Sequence, residues 1–93
     1  MAKEIELKGK QPGPRLLITG SVHGDEFEPM VAIRHLAKQL EQQTLAGTVT
    51  LVPVVNENAF QCGSRTAEDG LDLARVCPGD SQGSVTQRIA YEL

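Results

Sequence analysis

Several features that would assign a protein to a particular class are scarce or missing in this sequence of 93 residues. No apolar run approaches the roughly 20 residues that a membrane-spanning helix needs. The net charge is only −3, with acidic and basic residues interspersed, so neither nucleic acid nor a membrane surface is an expected partner. Aromatic residues make up 3% of the chain and tryptophan is absent, but the composition is otherwise that of an ordinary soluble globular domain.

Cysteine is scarce as well, and its two positions exclude two common uses. Cys62 and Cys77 fit neither a Cys-x-x-Cys zinc knuckle nor the disulfide framework of a small secreted protein. We therefore predict that both are free thiols. Residues 1–4 are charged and lack the apolar core of a signal peptide, which makes the cytoplasm the expected location.

The first half of the chain predicts two strands and a helix. Residues 4–8 alternate polar and apolar side chains, as a half-exposed edge strand does. Residues 11–14, Gln-Pro-Gly-Pro, predict a turn, and Arg15–Thr19 predict the first buried strand. From Glu26 to Gln42 apolar residues recur every three or four positions, which predicts an amphipathic helix with Pro29 in its first turn.

The second half predicts one more strand, a long loop and a second helix. Thr48–Val55 is rich in β-branched residues, so strand, helix and strand form a βαβ unit with a parallel crossover. Residues 56–83 have no clear period and are expected to form a long functional loop. Ser84 and Gln87 then predict the capped start of a last helix. The predicted fold class is α/β.

A short polar motif stands where the first predicted buried strand ends. The segment Gly20–Glu26 contains a His-x-x-Glu pair, His23 and Glu26, at a position where open α/β sheets keep their ligand sites. Imidazole and carboxylate are good ligands for Zn²⁺. A structural alternative remains for each: His23 bonded to backbone, and Glu26 favoured by the dipole of the helix. We expect Asp25 to cap the helix rather than to bind a metal.

Further blocks follow this motif in a fixed order. They are Val55–Phe60, Gly63–Arg65 and Asp69–Gly79. Together with His23 and Glu26 they resemble the succinylglutamate desuccinylase and aspartoacylase family, whose members are relatives of the zinc carboxypeptidases. The resemblance covers about residues 16–93. It implies a partial zinc-carboxypeptidase-like fold: a βαβ unit of a mainly parallel sheet, an N-terminal edge strand and a long active-site loop.

The resemblance also implies a role for individual residues. His23 and Glu26 would be ligands of Zn²⁺, Arg65 would stabilise the oxyanion of the scissile carbonyl, and Arg75 would hold a carboxylate of the substrate. The implied activity is zinc-dependent hydrolysis of an amide or ester bond in an acylated amino acid. The alternative for both arginines is that they are solvated loop residues.

The sequence departs from the family pattern in ways that affect this expectation. Ala74 and Cys77 replace an asparagine and a phenylalanine, and Glu57 stands where proline is common. The third zinc ligand of the family, a histidine, and its general base, a glutamate, follow further along the chain than this sequence extends. The one other histidine, His35, lies on the predicted helix, where we do not expect it to bind the same ion.

Three interpretations follow. Residues 1–93 form a single incomplete catalytic domain, the N-terminal part of a zinc hydrolase domain that is inactive as an isolated chain. Alternatively, the chain is a truncated or degenerate relative that acts as a binding or interaction module, or it completes its site with another chain. The expected partners are a small carboxylate-bearing substrate and, through uncovered sheet edges, further copies of the chain.

Overall fold

The fold is a three-stranded sheet with helices on both faces. The computed structural model describes residues 2–93. In chain order the elements are β1 (Ile5–Lys8), β2 (Gln11–Thr19), α1 (Glu28–Glu41), β3 (Ala46–Val52), α2 (Glu57–Cys62), α3 (Leu73–Val76) and α4 (Val85–Glu92). The strand order is β1-β3-β2. Among the described residues, no helix has both the length and the apolar character needed to cross a bilayer.

The central strand β3 pairs with both of the others. It runs antiparallel to β1, with Leu51 opposite Ile5, and parallel to β2, with Leu51 opposite Ile18. Because α1 connects β2 to β3, the predicted βαβ unit is confirmed. The predicted edge strand near the N-terminus is confirmed as β1. One of the two pairings is thus parallel.

Each face of the sheet has its own apolar core. On one face, α1 packs Ile33 and Ala37 against Leu51. On the other, the end of β3 and the segment after it pack against α3 and α4 through Val52, Val55, Leu73 and Ala90. Because β-strand side chains alternate between faces, the adjacent residues Leu51 and Val52 belong to different cores.

The prediction for the start of β2 was wrong. Residues 11–14 are not a turn outside the sheet but the first part of β2. Between Gln11 and Arg15 the register slips: these residues lie opposite Ala46 and Thr48, so four steps along β2 match two along β3. A bulge of this kind leaves residues unpaired, and a proline without an N–H can occupy such a position on an outer strand.

The predicted burial of β2 was also wrong. Leu16 and Leu17 are 54% and 49% exposed. Within residues 2–93, β3 is the only strand that pairs with β2, and Ile18 is the only residue of β2 that packs against either core. An apolar run identifies a strand, but burial depends on neighbours that the local sequence does not specify.

Two boundaries differ from the sequence prediction at the end of the βαβ unit. The strand β3 ends at Val52 rather than at Val55, because Pro53 has no backbone N–H to donate. The expected long loop over residues 56–83 contains α2 and α3, which are too short, at six and four residues, to show a helical period. Polar caps begin both: Asn56 Oδ1 accepts from Ala59 N–H, and Asp72 begins α3.

The two longer helices follow their predicted patterns. Pro29 lies in the first turn of α1, and α4 begins after Ser84, whose backbone N–H donates to Gln87 Oε1 at 2.9 Å. Asp25 was predicted to cap α1, and this is wrong, because Phe27 occupies the N-cap position. Both cysteines are exposed free thiols that form no disulfide, as predicted.

Asp69 fastens the loop before α3 to the start of α4. Its Oδ2 accepts from Ser84 Oγ at 2.7 Å and from Thr86 N–H at 2.9 Å, while its Oδ1 accepts from Thr86 Oγ1 at 2.7 Å and from Leu71 N–H at 3.2 Å. Desolvation raises the pKa of this carboxyl, but the hydrogen bonds from Ser84, Thr86 and Leu71 outweigh it and lower the pKa to about 2.

Replacing Asp69 should therefore destabilise the fold in a pH-dependent way. The Asp69→Asn substitution should lower the free energy of unfolding by about 1–3 kcal/mol at neutral pH, since an amide cannot accept all four bonds. A native pKa below the usual value of 3.8 means that the ionised form stabilises the fold above about pH 4 and that this contribution is lost as the pH falls towards about 2.

Urea unfolding at pH 7 and pH 3 measures this effect, with Asp25→Asn, which alters an exposed carboxylate, as the matched control. The difference between the Asp69→Asn variant and wild type should shrink at the lower pH. A difference that stays constant, or that the control reproduces, would contradict the role of Asp69.

Candidate metal and substrate site

The His-x-x-Glu motif lies on the turn between β2 and α1, and this turn is hydrogen-bonded to the end of β3. Gly20 N–H donates to Val52 O and Gly20 O accepts from Val55 N–H, both at 2.9 Å. Ser21 is buried, has a φ of 52° and donates from its hydroxyl to Glu26 O at 3.0 Å. The hydroxyl bond spans the turn and holds a residue in a conformation that non-glycine residues rarely adopt.

The turn also packs directly against α2. Gly24 is buried and so close to this helix that a Cβ at this position would lie 2.1 Å from the carbonyl carbon of Ala59. Phe27 and Phe60 add an edge-to-face contact between α1 and α2, with ring centroids 5.9 Å apart. The backbone at His23 is therefore fixed by β3 on one side and by α2 on the other.

The His23 ring lies between two carboxylates. Its Nδ1 is 3.1 Å from Glu26 Oε1 and its Nε2 is 2.9 Å from Asp72 Oδ1. A neutral imidazole has one N–H and can donate to only one of these oxygens. If Nε2 carries the proton and donates to Asp72, Nδ1 and an oxygen of Glu26 are left as two lone-pair donors 3.1 Å apart that a cation could bridge.

This pair of donors fits a zinc ion. Nitrogen and oxygen ligands lie about 2.0–2.1 Å from Zn²⁺, so two ligands of a tetrahedral ion are roughly 3.3 Å apart. The 3.1 Å between His23 Nδ1 and Glu26 Oε1 is close to that separation. Histidine ligands of metals commonly donate their second N–H to a carboxylate, and Asp72 is in that position.

The described residues supply two donors and no more. No group of three His, Cys, Asp or Glu side chains within residues 2–93 is placed to hold a metal ion. His35 is exposed on α1. A zinc site built on His23 and Glu26 would need further ligands from elsewhere.

Asp72, for which the sequence predicted no role, contacts three of the side chains around it. Besides His23, its Oδ1 accepts from Ala74 N–H at 3.0 Å, while its Oδ2 lies 3.9 Å from Arg65 Nη2 and 3.7 Å from Arg75 Nε. The hydrogen bond from His23 is the largest influence on the pKa of Asp72 and, with the bond from Ala74 and the nearby positive charges, outweighs desolvation and lowers it. Its position at the start of α3 is the one local signal that marks Asp72 as a structural residue.

Both predicted arginines reach this cluster with their guanidinium groups open to solvent. The side chains of Arg65 and Arg75 are 57% and 83% exposed, and their distances to Asp72 are longer than a hydrogen bond. Exposed ion pairs of this kind contribute little to stability, which leaves both groups available to a ligand. The structure thus places His23, Arg65 and Arg75 around the Asp72 carboxylate, while Glu26 contacts the other nitrogen of the His23 ring.

Comparison with known proteins decides the family. The succinylglutamate desuccinylase/aspartoacylase catalytic domain matches residues 12–93. The chain belongs to this family. It is 44% identical over 79 residues to the N-alpha-acetyl-L-2,4-diaminobutyric acid deacetylase of Halomonas elongata, an alignment that covers 84% of this chain and 23% of that enzyme.

Solved structures of related proteins share the fold described above. An aspartoacylase family protein from Mesorhizobium loti is 38% identical, with a TM-score of 0.90 over 97% of this chain and 29% of its own. The product-bound ectoine utilization protein EutE (DoeB) from Ruegeria pomeroyi is also 38% identical, with a TM-score of 0.82 over 95% of this chain and 27% of its own. The chain thus spans less than a third of the length of each of these relatives.

The three departures from the family pattern have simple structural settings. Ala74 contributes its backbone N–H to Asp72 rather than a side-chain donor, and Cys77 is exposed with its Sγ 3.7 Å from Leu73 O. Glu57 is the first residue of α2, where a carboxylate is favoured by the helix dipole.

The close contact between Gly24 and α2 predicts that any side chain there disrupts the site. Gly24→Ala should lower the free energy of unfolding by about 3 kcal/mol or more, because the obstruction is backbone rather than a flexible side chain. Gly63→Ala is the matched control: it has no atom within 4 Å of the added Cβ and should lose only about 1–2 kcal/mol from its φ of 65°. Urea unfolding of both variants measures this, and equal losses would contradict the steric explanation.

Proposed function

We propose that this chain carries the metal-binding and carboxylate-binding residues of a zinc-dependent hydrolase that removes the acyl group from an N-acylated amino acid. The observation that carries the proposal is the position of the His23 ring between Glu26 and Asp72, with Arg65 and Arg75 beside the same carboxylate. Membership of a family of deacylases supports the reaction class. We further propose a zinc-carboxypeptidase-like fold for the complete catalytic domain, and a cytoplasmic location.

In this proposal His23 and Glu26 hold the metal, and Asp72 fixes the orientation and tautomer of the imidazole. Zn²⁺, when bound, would polarise the scissile carbonyl and lower the pKa of the attacking water. Catalytic zinc sites ordinarily have three protein ligands, so we propose that the third ligand and the general base come from residues outside 2–93. Another part of the same polypeptide or a second chain can supply them.

The arginines would act on the substrate rather than on the metal. The Arg65 guanidinium would donate to the oxygen that gains negative charge when the carbonyl is attacked. Arg75 would bind a substrate carboxylate, for which the planar fork of a guanidinium is well suited. With Ala74 in place of an asparagine, no amide side chain at that position shares this task, so we expect Arg75 to carry more of the carboxylate binding.

The substrate class follows from this division of roles together with the relatives. An amino acid with a free carboxylate and an acylated amino group presents both groups that the arginines would bind. The Halomonas elongata relative deacetylates N-alpha-acetyl-L-2,4-diaminobutyric acid. We therefore propose an Nα-acylated amino acid, with acetyl as the first acyl group to test.

A second candidate function is favoured by the exposed strand β2. Leu16 and Leu17 lie on opposite faces of this strand and both are about half exposed. In this alternative the chain is a non-catalytic relative that pairs with a second copy of itself along β2. Zinc content and hydrolytic activity distinguish the two candidate functions, because only the first candidate requires them.

The metal assignment predicts which histidine controls zinc content. Once the third ligand completes the site, purified protein should hold close to one zinc per site, His23→Ala should weaken zinc binding by at least about 100-fold, and Glu26→Gln should also weaken it. His35→Ala is the matched control, because it removes the exposed histidine of α1 and should leave zinc binding unchanged. Elemental analysis and competition with a chromophoric chelator give the two measurements.

Two outcomes would count against the proposal. Zinc content that does not change in the His23→Ala variant would refute the ligand assignment. Wild-type protein that is supplied with the residues proposed to complete the site, but holds no zinc, does not hydrolyse N-acetylated amino acids and self-associates in sedimentation velocity experiments, would favour the second candidate.

The proposed roles of the arginines predict different kinetic effects. Arg65→Ala should lower kcat by about 10²–10³-fold, because it removes a donor to the developing oxyanion. Arg75→Ala should raise KM by about tenfold or more with a smaller change in kcat, because carboxylate binding is present in both ground and transition states. Steady-state hydrolysis of N-acetylated amino acids by protein with the completed site tests both, with Arg34→Ala on α1 as the control. The assignment fails if both variants behave like the control.

A further inference from the structure

The two carboxylate oxygens of Asp72 face different parts of the site. Oδ1 lies 2.9 Å from His23 Nε2 and accepts from Ala74 N–H at 3.0 Å. Oδ2 faces Arg75 Nε at 3.7 Å and Arg65 Nη2 at 3.9 Å. One negative charge is thus shared between the proposed metal ligand and the two groups proposed to bind substrate.

We infer that Asp72 is a positioning residue that couples carboxylate binding at Arg75 to metal binding at His23. The inference rests on the proposed function and deepens it, because it makes metal and substrate carboxylate bind cooperatively. Its basis is the juxtaposition of His23, Arg75 and Arg65 around the two oxygens of a single carboxylate.

The direction of the coupling follows from electrostatics. A guanidinium beside Oδ2 attracts negative charge in the carboxylate and weakens the acceptor strength of Oδ1. When Arg75 turns to an incoming carboxylate, Asp72 loses part of that neutralisation and accepts more strongly from His23 Nε2–H. A stronger hydrogen bond at Nε2 makes the opposite nitrogen, Nδ1, a better donor to a metal ion.

The exposure of each group indicates that Arg75 can turn away from Asp72 at little cost in free energy and that the effect is felt mainly between Asp72 and His23. Arg75 is 83% exposed and lies beyond hydrogen-bond distance of Asp72, so it can turn away without breaking a hydrogen bond. The Asp72 side chain is only 19% exposed and that of His23 only 13%, so the interaction between them is screened less than one between surface charges.

The coupling is reciprocal by thermodynamic linkage. A carboxylate ligand that raises the affinity for zinc by some factor must have its own affinity raised by zinc by the same factor. Because both arginines are largely exposed, we expect a factor near the lower end of the usual range, about 5–10-fold.

The Asp72→Asn substitution distinguishes the roles of the two carboxylate oxygens. The Asp72→Asn variant keeps an oxygen that can accept from His23 and Ala74, but it places an NH₂ group towards the arginines and removes the negative charge. Its fold should therefore be maintained while the coupling is lost. Glu41→Gln, at the far end of α1, is the matched control for the change in charge.

The experiment is a titration of the protein with zinc in a chelator competition assay, with and without saturating succinate, a carboxylate that has no scissile bond. Wild type and the Glu41→Gln control should bind zinc about 5–10-fold more tightly when succinate is present. In the Asp72→Asn variant this gain should fall to no more than about twofold. An equal gain in wild type and the Asp72→Asn variant would overturn the inference.

A second variant keeps the inference testable if Asp72→Asn fails to fold. Arg75 is almost fully outside the packed structure, so Arg75→Ala should fold normally, and without any ligand it should raise zinc affinity by about two- to fivefold, since Asp72 is no longer shared. Unchanged or lower affinity would overturn the inference. If wild-type protein binds no zinc even when the third ligand is supplied, the proposed function and the coupling are both refuted, whereas bound zinc with no response to succinate refutes the coupling alone.

Discussion

The structure depends on how the chain leaves the parallel pair of strands β2 and β3. At that point Gly20 makes backbone hydrogen bonds to both Val52 and Val55, so the two strand ends are joined beyond the last ladder position. A Cβ at Gly20 would lie 2.7 Å from Ile33 Cδ1 of α1, so the junction also sets how closely the helix approaches the sheet. The turn that carries His23 and the start of α2 both follow directly from this junction.

Two aspartates three residues apart show how the chain separates folding from function. Asp69 has all of its hydrogen bonds within the protein, to Leu71, Ser84 and Thr86, and it holds the segment before α3 against α4. Asp72 also caps a helix, but one of its oxygens has only long contacts with exposed arginines. The carboxylate of Asp69 therefore has its hydrogen bonds filled by the protein itself. The Oδ2 oxygen of Asp72 has only weak contacts with the arginines, and a ligand that bound those arginines would change them.

Much of the fold could be predicted from local patterns, and the errors have common physical origins. The helices α1 and α4 are long enough to show a helical period and have recognisable first turns, so their prediction was confirmed. The start and the burial of β2 were mispredicted because a bulge and an outer position in the sheet depend on pairing across space. The helices α2 and α3 were missed because they are too short for a period.

The candidate site was predictable to a similar degree. His23 and Glu26 are three residues apart, so a local motif reveals them, and resemblance to a family suggested Arg65 and Arg75. Asp72 contacts His23 across 49 positions of sequence, and no local pattern predicts such a contact. The roles of these residues in binding and catalysis stay predictions, since geometry places them together without showing what they bind.

The conformation of Ser21 has a consequence for the energetics of any ligand that binds here. Its left-handed backbone and its hydroxyl bond to Glu26 O fix the turn in the folded chain before a ligand arrives. His23 is held in the same way, by the hydrogen bond to Asp72. The entropy lost in ordering this turn and the His23 ring is therefore part of folding rather than of binding, and a ligand that bound there would meet groups already held in place.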